Sequence, residues 1–167
     1  MSMAAPPPTT ASGCGVTVKE YGEFLAHDPA YREKAVRISA LARDLSEVVP
    51  LEPIEARRAM GRIAFQSPCT LQHGQQIRGA VEGLLDRAGY QLAPVRDGHL
   101  CCGSAGTYSL LQPALSVELR ARKLDRLQEG LPQAIATANI GCLSHLQGAT
   151  ATPVRHWIEL LDDALAT

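Results

Sequence analysis

From Gly61 onward, short apolar runs alternate with apolar stripes of helical period, and this alternation limits the fold more than any other feature of the chain. Arg62 to Gln66 is a strand candidate. Ile77, Ala80, Val81, Leu84, Leu85 and Ala88 recur at helical spacing, and Gly89 closes them as a C-cap. Tyr90 to Val95 is the next strand. Gln112-Pro113 opens a second helix with Ala114, Val117, Ala121 and Leu124 on one face, ended by Gly130 and Pro132. Ala134 to Ala138 reads as a buried strand and Val154 to His156 as a fourth. Trp157 to Leu165 reads as an amphipathic last helix. This order predicts an α/β fold: a small parallel sheet flanked by helices, over residues 61–167.

The part before Gly61 reads as an N-terminal helical arm over 13–60, behind a disordered leader over 1–12 whose Ala4 to Thr10 is rich in Ala, Pro and Thr. Thr17 with Glu20 has the pattern of a capping box, opening a short helix to about Leu25. Asp28-Pro29 resembles an N-cap and first helical position. The helix after it is expected to run to about Glu47, with Ile38, Leu41, Leu45 and Val48 on one face, until Pro50 and Pro53 break it. No internal repeat is evident.

Sixteen basic against seventeen acidic residues give a net charge of −1, so no basic surface announces nucleic acid. No apolar run is long enough for a transmembrane helix, and no signal peptide is evident, so the expected compartment is the cytoplasm. In a reducing compartment, five cysteines pose a question of metal or redox chemistry rather than of disulfides.

Four of those cysteines hold a pattern. Cys69 follows the first strand, Cys101 and Cys102 the second, and Cys142 the third. In a parallel sheet every strand-to-helix loop emerges at the same edge, so the four thiols are expected on one rim. Thiolates are soft ligands that suit iron–sulfur clusters and zinc. Adjacent cysteines strain around one tetrahedral ion but can reach different irons of a cluster, which favours a [4Fe–4S] type over zinc. The run Gly103-Ser104-Ala105-Gly106 leaves room for backbone N–H groups to approach such a group. Buried filler and a vicinal Cys101–Cys102 disulfide remain open alternatives.

His145, three residues after Cys142, is a candidate ligand or hydrogen-bond donor to the site. His73 and His99 are expected beside the site, and His27 and His156 are expected to be structural. Cys14, between Gly13 and Gly15, is either a stray thiol or a further ligand. Arg120, Arg122, Lys123 and Arg126 read as a solvated helix surface, and so does Asp162-Asp163. There is no P-loop, dinucleotide fingerprint or nucleophile elbow.

Ser67-Pro68-Cys69-Thr70-Leu71-Gln72-His73, His99-Leu100-Cys101-Cys102-Gly103-Ser104-Ala105-Gly106-Thr107-Tyr108 and Thr137-Ala138-Asn139-Ile140-Gly141-Cys142 resemble the cysteine-rich CCG domain. Within that family the chain resembles the C-terminal part of glycolate oxidase iron–sulfur subunits, also through Thr10 to Gly22 and Val154 to Leu160. The resemblance implies an iron–sulfur cluster on Cys69, Cys101, Cys102 and Cys142, with zinc as the alternative seen in one related domain. It implies FAD-containing glycolate oxidase subunits as partners, with electrons passing from flavin towards the respiratory chain at the inner membrane face. It matches Cys14 to the last cysteine of a preceding CCG domain. Here His145 stands where the fullest motif has a further cysteine. The family's ferredoxin motifs do not occur in this chain, so a C-terminal fragment or truncated form is expected.

Overall fold

In the computed structural model, which describes residues 8–51, 54, 56 and 58–166, the alternation becomes a four-stranded, all-parallel sheet. The strands are β1 (Gly61–Gln66), β2 (Tyr90–Ala93), β3 (Ala134–Thr137) and β4 (Val154–His156), in the order β2-β1-β3-β4. Register sets Gly61 beside Tyr90, Ile63 beside Ala134 and Ile135 beside Val154. β2 stops at Ala93, short of the expected Val95, because Pro94 has no N–H to give a ladder.

Among the described residues, four helices precede β1: α1 (Ser12–Lys19), α2 (Tyr21–Phe24), α3 (Arg32–Leu41) and α4 (Leu45–Val48). A π-helical turn, Thr70–Gly74, and α5 (Ala80–Arg87) link β1 to β2. α6 (Tyr108–Leu111) and α7 (Pro113–Gln128) link β2 to β3, α8 (Ile140–Gln147) links β3 to β4, and α9 (Trp157–Leu165) follows β4. Among the described residues no helix is long and apolar enough to cross a membrane.

Alternate residues of each strand feed opposite faces, and both faces are covered. Ile63, Phe65 and Ala136 pack with Leu84 and Leu85 of α5 and Trp157, Leu160 and Leu161 of α9. Ala64 and Ile135 pack on the other face with Leu124 and Leu127 of α7 and Leu146 of α8. Cys102 and Cys142 belong to this second layer, so the cysteine rim is built into the core. At the same end of the sheet, Thr137 Oγ1 donates to Gln66 Oε1 at 2.6 Å, a buried polar pair that satisfies itself.

The arm differs from its sequence reading. α1 begins at Ser12, not after Thr17, and the Thr17 hydroxyl donates back to Gly13 O inside the helix at 3.1 Å. The cause is tertiary: Ser12 is fully buried, its N–H donates to Ala138 O at 3.1 Å, and its hydroxyl lies 2.7 Å from Thr70 Oγ1. Asp28 accepts from the N–H groups of Ala30 and Tyr31 in a turn, but it does not cap the helix: α3 begins only at Arg32, with Tyr31 at its N-cap position. The long helix breaks after Leu41, because Asp44 starts α4 with a capping box of its own to Glu47. Of the expected leader, residues 1–7 lie outside the described residues, as does Pro53, but Thr9 is fixed by a parallel bridge to Asp44. The arm shares features with the end of the sheet: a helix whose second and third residues are Gly-Cys, a return to a parallel pairing, and then a capping box. β3, α8, β4 and α9 follow the same course, and α9 opens with the capping box of His156 and Glu159.

Candidate metal centre

Each thiol owes its position to a helix start or loop at the C-terminal edge of the sheet. Cys69 precedes the π-helical turn after β1. Cys142 lies in the first turn of α8, whose start is fixed by Asn139 Oδ1 accepting from Gly141 N–H at 2.9 Å. Cys101 and Cys102 lie in the loop between β2 and α6, and α7 anchors that loop twice. Ser116 Oγ donates to Gly103 O at 2.8 Å, and Lys123 Nζ donates to Gly98 O at 2.8 Å. Gly103 has φ +89°, and a Cβ there would lie 2.3 Å from Ser116 O, so a side chain cannot be accommodated.

These elements surround one cavity of about 470 Å³, lined by Cys69, Cys101, Cys102 and Cys142, with Ser104, Ala105 and Gly106 on one wall. Cys14 lines it from α1, together with Ala11 and Gly13, and Ile140 stands exposed at its edge. The arm is held against this rim by Asn139 Nδ2 donating to Ser12 Oγ (3.2 Å), Gln75 Nε2 donating to Ser12 O (3.0 Å) and His156 Nε2 donating to Thr10 O (2.8 Å). All five cysteines are free, so the vicinal disulfide is not formed.

The thiols form a chain of interacting neighbours: Cys69 with Cys101, Cys101 with Cys102, Cys102 with Cys142. Cys101 is its acceptor. Hydrogen bonds from Cys102 and Cys69, with Gly103 N–H 3.3 Å from the sulfur, hold its pKa well below the ordinary thiol value. Cys69 and Cys102 are pushed up, because each bonds to the Cys101 sulfur and burial disfavours a second thiolate. Among the described residues no three Cys, His, Asp or Glu side chains form a group that could hold a single ion. Four soft thiol donors line one cavity, a donor set whose chemistry suits an iron–sulfur cluster or zinc.

The histidines lie outside the cavity. His145 Nε2 is 3.3 Å from Ser116 Oγ, so it supports the anchor of the Gly103 loop; burial, then the nearby Arg120, pushes its pKa down. His73 Nε2 is 3.3 Å from His99 O, and His99 lines a separate hollow of about 330 Å³ with Phe65, Gln72 and Arg78.

Sequence reasoning missed Lys123, Ser116, Ser12 and Thr70. Lys123 is not on a solvated surface: it is 1% exposed, and burial pushes its pKa down while the charges of Cys69, Cys102, Cys101 and Cys142 push it up. Its signal was the seven-residue spacing from Ser116, which puts both on one face of α7 with Leu127.

The family model that describes a cysteine-rich domain, CCG, matches residues 63–147, half of the chain and all four rim cysteines. The chain belongs to the cysteine-rich CCG family. Among curated CCG relatives, it is 52% identical to the glycolate oxidase iron–sulfur subunit of Escherichia coli (strain K12), over 93% of this chain and 39% of that protein. It is 27% identical to lactate utilization protein A of Geobacillus kaustophilus (strain HTA426), over 92% of this chain and 68% of that protein. It is 28% identical to the probable glycolate oxidase iron–sulfur subunit of Bacillus subtilis (strain 168), over 83% of this chain and 32% of that protein. The chain thus spans about two fifths of the length of the Escherichia coli relative.

Proposed function

We propose that this CCG chain is a cluster-holding iron–sulfur subunit, or a C-terminal fragment of one, that relays electrons from FAD-containing partner subunits while glycolate is oxidised to glyoxylate. The observation that carries this reading is the single cavity ringed by the thiols of Cys69, Cys101, Cys102 and Cys142. The 52% identity to a glycolate oxidase iron–sulfur subunit supports the choice of complex. The four thiols hold a [4Fe–4S]-type cluster, with Gly103, His145, His73 and Cys14 around it and not on it. When bound, such a cluster supplies one-electron transfer, at a potential set by N–H···S bonds and burial. The chain's own residues create that setting. Gly103 N–H points at the Cys101 sulfur, Ser116 fixes the Gly103 carbonyl, and the arm closes one side of the cavity. In this reading the chain works in the cytoplasm and reaches the inner face of the membrane only through its partners.

The test is anaerobic iron and acid-labile sulfide analysis of the purified chain, with its visible and EPR spectra. Iron and sulfide near four per chain are expected, and Cys101→Ala or Cys102→Ala should lose both. One zinc without sulfide would turn the site into a structural or docking centre and overturn the proposal. So would full iron and sulfide in both alanine variants.

A further inference from the structure

Lys123 sits where a charged side chain is costly. It is 1% exposed, its Nζ donates to Gly98 O at 2.8 Å, and among the described residues it forms no ion pair with a carboxylate. An ammonium taken out of water needs a compensating negative charge. Burial disfavours the ammonium, and the groups that favour it are the thiols of Cys69, Cys102, Cys101 and Cys142. The geometry agrees. Seven residues separate Lys123 from Ser116 on the same face of α7, and the pair clamps Gly98 and Gly103, the residues that flank the Cys101–Cys102 turn.

We propose that Lys123 is the counter-charge of the thiol cavity. Its buried ammonium offsets the negative charge gathered on the four sulfurs and so raises the reduction potential of the group they hold. This rests on the cluster reading above. Four thiolates bring four negative charges, and each reduction of the bound group adds another. A fixed positive charge near them favours the reduced form, more strongly in a buried site than in water. Lys123 is a positioning residue: it acts on the sulfurs and on the Gly98 carbonyl.

The test uses the full chain with Lys123→Met, Lys123→Gln and Lys123→Arg. Met removes charge and hydrogen bond, Gln keeps a donor for Gly98 O without charge, and Arg keeps the charge. In the reconstituted chain, EPR-monitored redox titration should show Met and Gln shifted together to lower potential and Arg near the parent. In the metal-free chain, the ratio of alkylation rates by anionic iodoacetate and neutral iodoacetamide should fall several-fold in Met and Gln, since this ratio reads the local field and cancels the thiolate fraction. A Gln variant that matches the parent in both measurements means that Lys123 only holds the loop, and overturns the proposal. An altered ratio with an unmoved potential overturns its role in tuning. A parent chain that takes up neither iron nor sulfide overturns the cluster reading instead, and the alkylation ratio still decides the counter-charge. Should Met fail to fold by circular dichroism, Gln carries both measurements.

Discussion

The segments Thr9–Val48 and Ala134–Leu165 follow the same course with different results. In one, Thr10-Ala11-Ser12-Gly13-Cys14 leads into α1; in the other, Thr137-Ala138-Asn139-Ile140-Gly141-Cys142 leads into α8. Each returns to pair in parallel with its own start, Thr9 with Asp44 and β3 with β4, and each then opens a helix with a capping box. The second segment also has β1 against β3, and it buries Trp157, Leu160, Leu161 and Ala164 in α9. The first has one isolated bridge, and α4 buries only Ser46. Cys142 is accordingly buried and Cys14 exposed. Caps and helix starts are enough to repeat the path of the chain. A neighbouring strand is what turns that path into a buried rim.

The two cysteines offer the sharpest way to break this comparison. Cys142→Ser should abolish iron and sulfide binding, and Cys14→Ser should leave both in place. Equal losses in metal analysis would make the two helix starts equivalent. Next come the residues at the first helical position of each capped helix. Trp157→Ala should cost about 3–5 kcal/mol by urea denaturation, as a fully buried large side chain does. Leu45→Ala, where Leu45 only leans on the same core, should cost about 1–2 kcal/mol. Similar costs would make the arm as much a part of the core as α9.

The caps give the smallest difference. Asp44 is 1% exposed; it accepts from Ser46 N–H at 3.0 Å, Ser46 Oγ at 2.8 Å and Gln75 Nε2 at 3.2 Å. Asp44→Ala should therefore cost about 1–2 kcal/mol. His156→Ala, at a partly exposed cap with a longer 3.3 Å bond from Ile158 N–H, should cost about 0.5–1 kcal/mol. A larger cost at His156 would mean that its bond to Thr10 O, and not the cap, decides how firmly the arm is held.

Over residues 61–165 the sheet was largely legible: β1 differs from its reading by one residue at its start, and α9 spans the residues expected, but the face of α7 was misread, since Ala114, Val117 and Ala121 are exposed and Ser116, Lys123, Leu124 and Leu127 are buried. The convergence of the thiols was legible too, since parallel topology sends all three loops to one edge. The arm was not. Thr17 and Glu20 imitate a capping box, while the real start of α1 depends on Ser12 meeting Ala138 and Thr70, partners remote in sequence. Lys123 was misread because a lysine among arginines on a helix looks solvated; its spacing from Ser116 and Leu127 marks the face, and its contact with Gly98 O shows that this face is buried. Nothing local announces the π-helical turn at Thr70–Gly74.

The order of the strands also dictates an order in time. Cys69, the Cys101–Cys102 pair and Cys142 stand on separate crossovers, and they become neighbours only after β1 has taken β2 on one side and β3 on the other. Ligands spaced a few residues apart, as in small zinc motifs, let an ion gather the chain around itself. Here the chain must first complete its long-range pairings, the slow part of assembling any parallel sheet. In the proposed reading, a cluster is therefore received by a sheet whose strands have already paired.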